Sequence, residues 1–126
     1  MPLVRIDLAR GKPPEYRHAI ADVVYTAMID VLTVPQDDRF MVITEHDEAG
    51  LVVSPEYLGI GHTADAVLIE VTLNEGRTVP VKQDFYRAVA DDLHQRTGLR
   101  REDVIICLVE VKKENWSFGN GVAQYA

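Results

Sequence analysis

The chain has 126 residues, enough to bury one hydrophobic core and too few for two domains. Hydrophobic residues make up 47% and charged residues 26%, a globular rather than a disordered composition. A net charge of −7 argues against nucleic acid or an anionic membrane as partner, although a local arginine cluster can still hold a small anion.

In chain order, Met1-Pro2 leads straight into Leu3-Val4-Arg5-Ile6-Asp7-Leu8, whose apolar-polar alternation predicts a half-buried strand. Pro13 and Pro14 suit the start of a helix, and Glu15 to Leu32 sets Ile20, Val23, Val24, Ala27 and Val31 on one apolar face. Phe40 to Ile43 reads as the next strand. Residues 47–63 carry glycine, proline and aspartate and read as a connection, with Leu51-Val52-Val53 as a short strand inside it. Leu58-Gly59-Ile60-Gly61-His62 holds G-x-G without a third glycine or a following helix, so it predicts a turn and not a phosphate cradle. Ala66 to Leu73 is a strand. Val81, Phe85, Val89 and Leu93 then line a second helix, which Gly98 ends. Val104 to Val111 is the last strand. Its Cys107, the one cysteine, excludes an internal disulfide or a multi-cysteine zinc site, and its apolar neighbours predict a buried, inert thiol.

No basic segment with a following apolar stretch opens the chain, and no apolar run could span a bilayer. The expected location is therefore cytoplasmic, and the sequon Asn115-Trp116-Ser117 is without consequence.

The two halves match at a constant offset of 65 residues, which carries Leu8 to Leu73, Gly11 to Gly76, Val24 to Val89, Asp38 to Asp103 and Glu45 to Glu110. The same offset sets Lys12 against Arg77. This reads as a duplicated β-α-β unit, with pseudo-repeats at about 1–58 and 64–126 of a single domain spanning 1–126. Each crossover makes its two strands parallel and right-handed. The predicted fold is α/β (α+β): a four-stranded mixed sheet with two helices packed on one face.

Candidate chemistry starts at Pro2. Aminopeptidases remove Met1 before a small residue such as proline, and the new terminus is a secondary amine that titrates near neutrality. Burial lowers the pKa of such an amine and nearby carboxylates raise it, so it can serve as base or acid. Taken singly, the other candidates have plain structural readings. Asp38 suits a turn before a strand, Arg77 a solvated loop, and Trp116 with Phe118 a core or interface pair. His18, His46, His62 and His94 lack ligand spacing, and no Ser-His-Asp or Cys-His arrangement is visible.

Several segments read together point further: Met1-Pro2-Leu3-Val4, Val34-Pro35-Gln36-Asp37-Asp38-Arg39-Phe40, Gly76-Arg77, Phe85-Tyr86, Asn115-Trp116-Ser117-Phe118-Gly119-Asn120-Gly121 and Ala123-Gln124-Tyr125. On these residues the chain resembles the tautomerase superfamily, and within it the malonate semialdehyde decarboxylase group. The resemblance implies a homotrimer that needs no cofactor or metal. It implies Pro2 as the catalytic amine and Asp38 as the residue that interacts with it and positions a water or proton. It implies Arg77 as the binder of a substrate carboxylate, and Trp116, Phe118 and Tyr125 as an aromatic wall, the last of these replacing the group's phenylalanine. One departure is Glu75, which stands where the decarboxylases carry a second arginine. Arg39 is the nearby cation that could take up the missing charge.

The leading reading is thus an enzyme acting on a small oxo acid, by keto–enol tautomerisation or by decarboxylation. A cationic Pro2 would polarise the carbonyl or condense with it as an iminium; a neutral Pro2 would move a proton between carbon and oxygen. The alternative is a non-enzymatic ferredoxin-like module that binds a small ligand, which requires the halves to interleave in an antiparallel sheet and gives Pro2 no task. A purely structural homo-oligomer is the third reading.

Overall fold

The computed structural model describes residues 2–126; Met1, on which exposure of the Pro2 amine depends, lies outside the described residues. In chain order the elements are β1 (Leu3–Ala9), α1 (Pro14–Asp30), β2 (Met41–His46), β3 (Glu56–Tyr57), β4 (Ile60–Gly61), β5 (Val67–Asn74), α2 (Val79–Thr97) and β6 (Val104–Val111). Single 3-10 turns lie at Arg101–Asp103, just before β6, and at Lys113–Asn115, just after it.

Period-two alternation makes the central strands one-sided. β1 buries Val4, Ile6 and Leu8 and exposes Arg5; β5 buries Val67, Ile69, Val71 and Leu73 and exposes Glu70. The four long strands form one sheet in the order β2-β1-β5-β6, with β3 and β4 as a separate hairpin. β1 is parallel to β2 and β5 to β6, while the central β1–β5 pair is antiparallel. Against the buried side chains pack Ile20, Val24 and Met28 of α1 and Phe85, Val89 and Leu93 of α2, in one core cluster. Each such side chain contributes roughly 1.5–3 kcal/mol through burial.

The helix ends follow from local chemistry. Pro14 opens α1, where its missing N–H costs no hydrogen bond. The Thr78 hydroxyl accepts from Val81 N–H at the start of α2, and Gly98, at φ 78°, closes that helix in the left-handed conformation.

The halves sit side by side. Val4 pairs with Met41, and Ile69 pairs with Ile106, the same contact 65 residues later. Across the centre Arg5 faces Glu70, its own counterpart at that offset, so a pseudo-twofold axis passes between them. An ion pair repeats too: Arg17 to Glu45 at 2.9 Å and Lys82 to Glu110 at 2.6 Å. Because each half keeps its two strands adjacent, the interleaved sheet required by a ferredoxin-like module is ruled out.

Two expectations are corrected. Leu51-Val52-Val53 forms no strand; the connection instead folds into the β3–β4 hairpin, with Leu58 at φ 53° and Gly59 at φ 78° supplying the two positive-φ residues of a tight turn. Cys107 is exposed rather than buried, because the helices cover only one face of β6 and Cys107 lies on the other. Among the described residues no helix is long and apolar enough to cross a membrane.

Candidate active site

β1 begins where β5 and β6 end. Leu3 pairs with Thr72 and Asn74 pairs with Val111, so Pro2, Asn74 and the loop after β5 share one end of the sheet. Pro2 is buried there. The last residues of α1 reach the same end, and the chain returns through Thr33–Arg39 to Phe40, whose carbonyl accepts Val4 N–H at 2.9 Å.

Arg77 lies against the end of α1. Its Nε and Nη2 both donate to the Leu32 carbonyl, at 3.2 and 2.9 Å, and its Nη1 donates to the Asn74 carbonyl at 3.1 Å. A cation is favoured at this position, where helix carbonyls lack partners within the helix. Three of the five guanidinium N–H donors are used in this way, which leaves two on a fixed, half-buried group. Glu110 steadies the loop from below: it accepts from Gly76 N–H at 3.4 Å and from Lys82 at 2.6 Å, and the Lys82 hydrogen bond holds its carboxyl below the usual range.

Asp38 is a turn residue through its backbone, donating its N–H to the Pro35 carbonyl at 3.2 Å. Its half-buried carboxyl does something further. Burial pushes it above the ordinary aspartate value, and the positive charge of the chain's amino terminus draws it back down. The carboxyl and the amino end therefore share one electrostatic environment. Arg39 takes no part in it: its guanidinium donates to Asp22 at 3.0 Å and lies 4.5 Å over the Tyr25 ring. Arg39 thus does not replace the arginine missing at Glu75. Glu75 itself is exposed and, among the described residues, forms no ion pair.

The aromatic residues form a bridge. Trp116 Nε1 donates to Asn74 Oδ1 at 2.8 Å. Trp116 stacks on Phe118 at 5.3 Å between centroids, and Phe118 meets Phe40 at 6.1 Å and the edge of Tyr125 at 5.5 Å. Gln124 ties the tail back by accepting from Phe118 N–H and donating to the Gly119 carbonyl. Phe40 stands at the start of β2 and Asn74 at the end of β5, on either flank of β1. The chain of rings accordingly spans the end of the sheet at which β1 starts. Beside it lies a recess of about 380 Å³ lined by Asn74, Glu75, Lys112, Lys113, Tyr125 and Ala126.

The topology thus gathers Pro2, Asp38, Arg77, Trp116, Phe118 and Tyr125 at one end of the sheet. Asn74 is the residue the sequence reading missed; the available signal was its place at the close of β5, just before Gly76-Arg77. The histidines stay apart from this end. His46 pairs with Asp7 at 2.6 Å, and among the described residues no three ligand side chains converge to hold a metal ion.

The opposite end of the sheet shows what this constellation becomes without a chain terminus. Asp103, the counterpart of Asp38, is fully buried and accepts from the Thr63 N–H at 2.7 Å and its hydroxyl at 2.5 Å. Lys12, the counterpart of Arg77, pairs with Asp65 at 3.4 Å. Leu51 and Val53 stand where Trp116 and Phe118 would be. Both charged groups are engaged in holding the connection to β5.

Comparison with known proteins identifies the family. Two family models described as tautomerase enzyme match the chain, over residues 38–119 and 2–60. It is 36% identical over 124 residues to the probable tautomerase YusQ of Bacillus subtilis (strain 168), covering 98% of both chains. To the probable tautomerase YrdN of the same organism it is 34% identical, covering 99% of this chain and 96% of that one. Among solved structures, FG41 malonate semialdehyde decarboxylase, inhibited by 3-bromopropiolate, superimposes with a TM-score of 0.90 at 38% identity, over 98% of this chain and 93% of that one. Another malonate semialdehyde decarboxylase gives 0.89 at 31% identity, over 98% and 95%. With its β-α-β halves side by side and likeness along nearly its whole length, this chain belongs to the tautomerase family and is an enzyme of that family.

Proposed function

We propose that Pro2, once Met1 is removed, is the catalytic amine of an enzyme acting on small oxo acids, and that it works as an acid in a decarboxylation of the malonate semialdehyde type. The observation that carries this reading is the placement of the half-buried Asp38 carboxyl at the end of the sheet where Pro2 is buried, within reach of the charge at the amino end of the chain. A carboxylate in that position favours the cationic amine.

Arg77 receives the substrate carboxylate on its two remaining donors, and the ring bridge keeps water from the reacting carbons. The ammonium hydrogen of Pro2 polarises the substrate carbonyl. The bond between the α-carbon and the carboxylate then breaks and carbon dioxide leaves. The electron pair forms the enolate, whose oxygen takes the Pro2 proton. The enol oxygen then returns its proton to Pro2 as a solvent proton reaches the carbon, which gives the product, restores the ammonium and consumes one solvent proton overall. With Glu75 in place of a second arginine, Arg77 holds the carboxylate alone, which suits a substrate with a single carboxylate.

A second reading rests on the burial of Pro2, which favours a neutral amine. Pro2 then moves a proton between enol oxygen and carbon, a tautomerisation. Titration of the Pro2 nitrogen by NMR separates the two readings, acid above neutrality and base below. The common test is Pro2→Ala, in protein shown by mass to lack Met1, assayed on malonate semialdehyde and on the enol of phenylpyruvate. Loss of general acid–base catalysis costs roughly 10²–10⁴-fold. Unchanged turnover of both compounds would sink both readings.

We also propose that copies assemble as a homotrimer through the uncovered sheet face. That face carries an apolar groove of about 610 Å³, lined by Val52, Tyr57, Ile60, Leu68, Val104 and Ile105. Sedimentation equilibrium giving the mass of one chain would refute this assembly.

A further inference from the structure

We propose that Asn74 is a catalytic residue of this site: its side-chain amide donates a hydrogen bond to the oxo oxygen of the substrate, while the same residue positions both Trp116 and Arg77. The inference deepens the oxo-acid reading and rests on it.

Three contacts make Asn74 the hub of the site. Its Oδ1 accepts the Trp116 indole N–H at 2.8 Å. Its backbone carbonyl accepts Arg77 Nη1 at 3.1 Å. Its place in the sheet is fixed by pairing with Val111, two residues beyond the Thr72–Leu3 pair that marks the start of β1.

The orientation of the amide follows from chemistry. An indole nitrogen can only donate, so the Asn74 oxygen must face Trp116 and the Nδ2 group must occupy the other side. Among the described residues Nδ2 has no protein partner. Asn74 is half-buried and lines the 380 Å³ recess. Two N–H donors are thus held on a side chain that cannot rotate without losing the Trp116 hydrogen bond.

The substrate supplies the complement. Arg77 is hydrogen-bonded to the Asn74 backbone carbonyl, so a carboxylate held on its remaining donors would lie near Asn74, and the carbonyl of a 2-oxo or 3-oxo acid lies one or two carbons from that carboxylate. A fixed neutral donor there stabilises the negative charge that develops on oxygen as the enolate forms, without repelling the carboxylate or competing for the proton on Pro2. The duplication supplies a contrast: the counterpart of Asn74 at the other end is Ala9, where neither the guanidinium nor the rings are present.

The test uses binding rather than turnover, so it does not depend on the native substrate. Affinities of pyruvate against propionate, and of fresh acetoacetate against butyrate, are measured through the emission of Trp116, the one tryptophan of the chain. The wild-type protein should prefer the oxo member of at least one pair by about tenfold, the scale of one hydrogen bond to a fixed donor. In Asn74→Asp the acceptor for Trp116 is kept and the donor is lost. The unliganded emission should stay unchanged and the preference should fall to about one. Any repulsion of the carboxylate affects both members of a pair and cancels in the ratio. Asn74→Ser, too short to reach the substrate oxygen, should lose the preference as well, and it serves if the aspartate variant does not fold. Retention of the oxo preference in a folded variant overturns the proposal, as does its absence from the wild-type protein. Pro2→Ala reports separately on the amine, so failure there leaves the Asn74 result interpretable.

Discussion

Arg77→Lys tests whether one guanidinium serves both the fold and the substrate. The native group spans two backbone carbonyls from three nitrogens, at 2.9 to 3.2 Å. An ammonium keeps the charge but donates from a single point, so it does not reproduce hydrogen bonds made from three separate nitrogens, and the carbonyls at the ends of α1 and β5 are held less well. With about 1 kcal/mol for each lost hydrogen bond and some return of solvent to a half-buried site, the variant should be about 2 kcal/mol less stable. For a chain of this size that is on the order of 6–10 °C in Tm. The same change removes the two-pronged grip on a carboxylate, so KM for malonate semialdehyde or the phenylpyruvate enol should rise about 10–100-fold. Differential scanning calorimetry and steady-state kinetics on one preparation read both effects. If Tm stays within about 2 °C of the native value, less than 1 kcal/mol, the guanidinium does not carry the carbonyls as described. If KM is unchanged while Tm falls, Arg77 is a structural residue only.

Two further predictions contrast repeat-related aspartates. Asp38→Asn should lower turnover, yet its effect on stability depends on pH. The Asp38 carboxyl is raised in the folded protein, so the native chain loses stability as pH rises from its unfolded value of 3.8 through the folded value, and asparagine does not. The Tm of the variant relative to native should therefore be more favourable at pH 7 than at pH 3.5; the reverse trend in paired melts would show that the carboxylate is stabilised by its surroundings. Asp103→Asn should instead leave turnover alone and cost about 2–3 kcal/mol in urea unfolding, because a fully buried acceptor of two Thr63 hydrogen bonds is replaced by a group that can accept only at one atom. A variant with native stability would remove Thr63 as the reason for its burial.

Much of this arrangement was legible in the residues because its causes are local or periodic. Alternation in Leu3–Leu8 and Ala66–Leu73, helical spacing from Ile20 to Val31 and from Val81 to Leu93, and the stop at Gly98 are all short-range signals, and each is realised to within a residue, with α1 closing at Asp30 and β5 opening at Val67. The β-α-β pattern repeated at an offset of 65 residues carried the parallel pairing within each half, but not which strands meet at the centre of the sheet. What stayed hidden depends on which surface meets which. Cys107 sits in an apolar run, but only one side of β6 has a helix to cover it. The pairing of β3 with β4 depends on a turn at Leu58-Gly59, whereas the more apolar Leu51-Val52-Val53 meets no partner strand. Asn74 looks like any polar residue closing a strand until the tail folds back and sets an indole against it. Whether Arg39 could make up for the arginine missing at Glu75 was not legible in the residues; Asp22 and Tyr25 hold Arg39, while the Leu32 carbonyl holds Arg77.

The duplication also accounts for why the candidate site occurs at one end only. A β-α-β unit repeated about a pseudo-twofold axis offers two equivalent sheet ends, each with an aspartate before the second strand of its half and a basic residue in the loop after the first. A chain has one amino terminus, so only the end at Pro2 can present a secondary amine. At the other end the backbone continues from Thr63 into β5, and its N–H groups need acceptors. Asp103 meets that need and is sealed in, while Lys12 pairs with Asp65. The Asp38 carboxyl stays half-buried and within range of the charge at the amino end of the chain, where removal of Met1 exposes the Pro2 amine. Chain continuity is what sends two repeat-related aspartates to different tasks, and exchanging them between their roles would require moving the terminus.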